Sequence, residues 1–84
     1  MNNAIMFRVV LSDEYRPLAE RSLVATVDVS APPSNAGPVM FLGIDGQEVP
    51  WTAGEWHSLV RVDLSEIRVK GTPGDTVTVV GGTW

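Results

Sequence analysis

The sequence predicts an all-β fold, a small antiparallel β-sandwich or barrel of six to seven short strands, on three observations. Short apolar stretches recur between clusters of turn residues, several of them alternate with period two, and no 11-residue window carries a convincing period of 3.6. Its 84 residues contain no cysteine. They make one domain, residues 1–84, near the size at which a single core is only marginally sufficient, and no disulfide can supplement it.

Ala4 to Leu11, AIMFRVVL, is a mixed apolar run expected to form one strand covered on both faces or in part. The polar connection SDEYRPLAERS follows, with Pro17 placed to open a single helical turn and Leu18 and Tyr15 tucked inward. LVATVDVS has the cleanest alternation in the chain. Leu23, Ala25, Val27 and Val29 share one face, and Val24, Thr26, Asp28 and Ser30 the other, as in a half-exposed antiparallel strand. APPSNAGP, residues 31–38, is rich in proline and predicts a surface loop, because proline neither continues a helix nor donates to a ladder.

Asp45-Gly46 lies between Val39–Ile44 and Gln47–Trp51 and predicts a hairpin closed by a type I′ turn, with positive φ at both central residues. Pro50 keeps the second arm short or at a sheet edge. TAGEW is a further turn, and HSLVRVDL a further strand. Ile67 and Val69 alternate with Glu66, Arg68 and Lys70, Pro73-Gly74 suits the centre of a type II turn, and Thr76–Val80 returns. Together these segments predict a C-terminal hairpin over residues 67–80. Gly81 and Gly82 are then expected to let the chain leave the sheet, so that the indole of Trp84 finds cover either within its own subunit, as a core plug, or on a neighbour, as an anchor, the second being preferred.

The chemistry-bearing residues do not assemble into a catalytic pattern. Six Lys/Arg against ten Asp/Glu give a net charge of −4 without any basic run, which argues against nucleic acid as a partner. No apolar run approaches the ~20 residues of a spanning helix, and the N-terminus lacks a basic start and cleavage site, so neither membrane nor targeting is expected. His57 is the only histidine, which leaves zinc poorly served, and no cofactor is expected. Ser58, His57 and Asp63 are the least implausible catalytic residues, but neighbours on a strand face opposite ways and no nucleophile elbow surrounds the serine. Asp13, Asp63 and Asp75 are expected to hold turns through side-chain-to-backbone hydrogen bonds.

Three tryptophans in so short a chain carry more information. Trp51 and Trp56 flank the Thr52–Glu55 turn, either capping one end of the core or serving as contact anchors. The candidate interface is Trp84, Thr83, Trp56, Trp51, Pro32 and Pro33, and the alternative is a glycan-binding module that stacks a sugar on Trp51 and Trp56.

Val62 to Gly82 reads VDLSEIRVKGTPGDTVTVVGG. This phrase resembles the C-terminal part of small tailed-bacteriophage virion structural proteins, in which a similar phrase closes a compact β domain. The resemblance implies a non-enzymatic head-decoration (cement), head–tail or fibre-associated subunit. It implies a symmetric homo-oligomer, with a trimer favoured, in contact with other virion proteins such as the major capsid protein. It also implies residence in the virion after synthesis in the host cytoplasm.

Overall fold

The computed structural model describes residues 3–83, and in them the chain is all-β. The strands are β1 (Asn3–Val10), β2 (Arg16–Pro17), β3 (Val24–Ser30), β4 (Val39–Leu42), β5 (Glu48–Trp51), β6 (Trp56–Asp63), β7 (Arg68–Lys70) and β8 (Thr76–Thr83). They form two four-stranded antiparallel sheets, with orders β1-β8-β3-β6 and β2-β7-β4-β5. The count exceeds the expected six to seven because Arg16–Pro17, expected to open a helical turn, pairs with Val69 and Arg68 instead. Pro17 is tolerated there because β2 is an edge strand, where a missing N–H costs no ladder bond. The one helical turn among the described residues, a 3₁₀ turn, lies at Leu64–Glu66.

Period-two patterning decides which side chains go inside. A single buried cluster draws Val9, Ala25, Val27, Val29, Val77 and Val79 from the first sheet and Val39, Phe41, Trp51 and Val69 from the second. Leu11, Leu18, Ala31 and Leu64 close it from the connections. Full burial of each valine contributes about 1.5–3 kcal/mol, so this shared layer is the principal stabilising element. Phe41 and Trp51 stack with ring centroids 3.6 Å apart.

The chain changes sheet at every connection except β4 to β5, which makes that pair the sole hairpin among the described residues. The expected C-terminal hairpin over 67–80 is therefore corrected. Lys70 pairs with Met40 and Thr76 with Val10, so Gly71–Asp75 arches between the sheets. The arch is held from outside: Gly71 N–H donates to Ser12 C=O, Gly74 N–H to Leu11 C=O, and Leu11 N–H to Asp75 C=O. The type II geometry at its tip is as expected, with Asp75 N–H donating to Thr72 C=O at 3.0 Å and Gly74 at φ +94°. Alternation could not separate the two arrangements, because Val69 and Val77 point inward in both. Both are fully buried here, from opposite sheets.

The β4–β5 hairpin forms as expected but with another turn. Gly46 N–H donates to Gly43 C=O, which puts Ile44 and Asp45 at the centre, and only Gly46 has positive φ, +80°. The longer loop keeps Asp45 out of the left-handed region that a type I′ turn would demand, and its carboxylate accepts from Gln47 N–H instead.

Residues 31–38 form a loop as expected, yet one pinned to the body. The Asn35 side chain bonds both backbone groups of Thr76, and Asp75, itself buried, accepts from the N–H groups of Ala36 and Gly37. Asp75 and Asp63 thus act as expected. At Asp13 the turn is held by its neighbour, the Ser12 hydroxyl accepting from Glu14 N–H.

Gly81 and Gly82 do not let the chain leave the sheet. Both lie within β8 and pair on both sides, Gly81 with Ile5 and Val27, Gly82 with Ala4 and Thr26. A Cβ on Gly81 would stand 2.1 Å from the Thr26 carbonyl oxygen and 2.6 Å from Val27 Cα. Glycine is the only residue that admits β3 so close. Beside this contact, β6 carries an extra residue opposite the Ala25–Val27 step, and Arg61 takes φ +52° there. This bulge curls the β3–β6 edge.

Candidate interaction face

The outer face of the β1-β8-β3-β6 sheet is where side chains are left over once the core is filled. Its cross-strand rows follow from the register: Arg8–Thr78–Ser30–Trp56, then Met6–Val80–Asp28–Ser58, then Ala4–Gly82–Thr26. Met6 is 74 % exposed, Trp56 60 % and Val80 50 %; Val10, Val24 and Val60 are exposed around them. Between these apolar groups run short hydroxyl and carboxylate side chains already engaged with one another. Ser30 and Thr78 share a hydrogen bond, and Ser58 Oγ donates to Asp28 Oδ1 at 2.5 Å. The polar groups on the face are thus largely satisfied within it, and its unspent capacity is hydrophobic.

The structure divides the expected interface residues. Trp56, Pro32 and Pro33 come to one end of the molecule, because Ser30 pairs with Trp56, Gly54 N–H donates to Ala31 C=O, and Pro33 lies beside Gly54. Thr83 pairs with Asn3 at the opposite end. Trp51 is buried against Phe41 with only 7 % exposure, so it cannot act as a contact anchor. It faces inward because it pairs with the buried Val39. Its burial also removes the two-indole platform on which glycan binding depended. Trp84 lies outside the described residues.

The candidate catalytic residues are separated. His57 lies on the inward side of β6, edge-on to Trp51 at 4.6 Å between ring centroids, and its Nε2 is 2.7 Å from Glu55. That contact, with help from Thr52 N–H, holds the Glu55 carboxyl below the ordinary carboxylate range. Ser58 faces the other way, toward Asp28. Asp63 stands at the far end of β6, where it accepts from Ser22 Oγ, Ser65 Oγ and the N–H groups of Leu23 and Ser65. These donors, the Ser22 hydroxyl foremost, hold its carboxyl well below the usual range. The group caps the 3₁₀ turn and ties β3 to it.

On the second sheet, Tyr15, Glu48 and Lys70 form a polar cluster. The Tyr15 hydroxyl donates to Glu48, Lys70 Nζ lies 3.7 Å from the same carboxylate, and it sits 4.8 Å above the Tyr15 ring. Partial burial, then the Glu48 carboxylate, push the Tyr15 phenol up to about 12. Among the described residues no group of three or more His, Asp or Glu side chains is placed to hold a metal ion, and no helix is long and apolar enough to cross a membrane.

Sequence reasoning missed Met6 and Val80. The signal was present in consecutive apolar residues of alternating strands: Val9-Val10 and Val79-Val80 each put one valine inside and one outside. No protein-family model matches the chain, and neither a curated protein nor a solved structure matches it.

Proposed function

We propose that this chain is a non-enzymatic structural subunit that works by protein–protein contact through the outer face of the β1-β8-β3-β6 sheet. In this reading the two sheets pack face to face as a small sandwich, and the virion is its setting, as a capsid-associated or head–tail protein in contact with the major capsid protein. The observation that carries the reading is Trp56, a large indole 60 % exposed on a sheet face where it adds nothing to the core. Tryptophan is the residue most enriched at interface hot spots, and here Met6 and Val80 extend the same surface. The phrase Val62–Gly82 supports the virion setting by its resemblance to tailed-phage structural proteins.

Co-sedimentation of the purified chain with purified phage particles tests the proposal. The chain is expected to pellet with particles, and Trp56→Ala combined with Val80→Ser to reduce the bound fraction at least tenfold with thermal unfolding unchanged. No binding by the native chain, or undiminished binding by the double variant, would refute it.

A further inference from the structure

The two sheets have four edge strands, β1, β6, β2 and β5, and three of them carry devices that block pairing with another chain. β2 is two residues long and includes Pro17, β5 contains Pro50, and β6 is bent by the bulge at Arg61. β1 has none of these. It runs regularly for eight residues with Arg8 as its single charge.

Register decides what that edge offers. Leu11 N–H donates to Asp75 C=O, and the β1–β8 pairing continues the same register, so the odd residues of β1 turn their backbone groups toward β8. Ala4, Met6, Arg8 and Val10 therefore turn theirs to the open side. Of these carbonyls, Val10 is taken by Arg16 Nη1 at 3.0 Å. The usable edge is Ala4, Met6 and Arg8, and it is self-complementary about Met6.

We propose that β1 pairs antiparallel with β1 of a second copy across a two-fold axis through Met6, forming one continuous eight-stranded sheet. Met6 stands opposite Met6 of the copy, and Ala4 opposite Arg8. Six main-chain hydrogen bonds form, two for each of the three facing pairs. Three observations favour a second copy as occupant. The lone charge of the strand meets an alanine rather than its own image, whereas in-register parallel pairing would stack Arg8 on Arg8. Pairing ends where the Arg16 guanidinium blocks Val10. On the inner side, half-buried Ile5 and Phe7 of each copy come opposite one another and cover the flank left open by the short β2. An isologous contact of this kind closes at two subunits, whereas a heterologous β1-to-β6 contact, the kind that builds rings such as a trimer or open filaments, would require pairing with the strand bent by the bulge at Arg61. The assembly is therefore two-fold, in place of the favoured trimer, and it stands independently of the virion setting.

Sedimentation equilibrium of the native chain is expected to give twice the monomer mass. Met6→Pro removes an outward N–H without touching the β1–β8 ladder and is expected to give monomer with an unchanged β-sheet circular dichroism spectrum. Met6→Lys and Met6→Glu alone are each expected to weaken self-association at least tenfold, because like charges then face each other, and an equimolar mixture to restore the dimer. A native chain that stays monomeric at millimolar concentration would overturn the proposal, as would a Met6→Pro variant that still dimerises. A dimer strengthened by Met6→Glu alone would place Met6 opposite Arg8 and overturn the register.

Discussion

Replacing Gly81 by alanine tests the closest approach met by any glycine of the fold. In a strand with ordinary space the change would stabilise by about 0.4–1 kcal/mol, through the entropy it removes from the unfolded chain. Here the new Cβ meets two backbone atoms of β3, Thr26 O at 2.1 Å and Val27 Cα at 2.6 Å, and neither is the movable end of a side chain. Relief requires β3 to retreat by roughly an ångström from β8, straining a ladder that runs from Thr26 to Ser30. Overpacking costs about 1–3 kcal/mol, and each ladder bond lost about 1 kcal/mol more. The net expectation is a loss of about 2–4 kcal/mol, or roughly 10–25 °C in Tm for a domain of this size. Gly82→Ala is the matched control: its Cβ would stand 3.1 Å from Asn3 O, and the expected loss is under about 1 kcal/mol. Urea and thermal denaturation followed by circular dichroism measure both. A Gly81→Ala protein within about 0.5 kcal/mol of native would refute the steric argument.

Two further outcomes follow from named side chains. Trp51→Ala is expected to cost about 3–5 kcal/mol, by emptying the stack on Phe41, and Trp56→Ala to change stability by less than about 0.5 kcal/mol; denaturant midpoints check both. Asp63 has a depressed folded-state pKa, so its stabilisation is complete above the unfolded value of about 3.9 and is lost as pH falls through the lower folded value. Asp63→Asn is therefore less stable than native at neutral pH, and the gap between the two proteins narrows as pH falls below about 4 in a series of thermal melts.

Much of the secondary structure was legible because turn chemistry and period-two burial are local. LVATVDVS showed which four side chains would face the core, Pro73-Gly74 its turn type, and Asp63 and Asp75 their roles as turn anchors. The candidate site was less legible. Trp51 and Trp56 are equivalent as letters on either side of one turn, and only their partners separate them: Trp51 pairs with inward Val39, Trp56 with outward Ser30. Met6 was hidden within an apolar run that suited a strand covered on both faces, and Val80 shared the face of Thr76 and Thr78 without any sign that it belonged to an interface.

The sequence by itself determined the all-β class, the positions of the turns and the inward phase of most strands, because each depends on a few adjacent residues. Tertiary structure alone decided which strand neighbours which. Gly71–Asp75 serves equally as a hairpin or as an arch, and the choice was made by bonds from Ser12 and Leu11, some sixty residues away along the chain. The meaning of Gly81 was settled in the same way: two successive glycines suggest freedom, but the approach of β3 makes Gly81 the glycine with the least room.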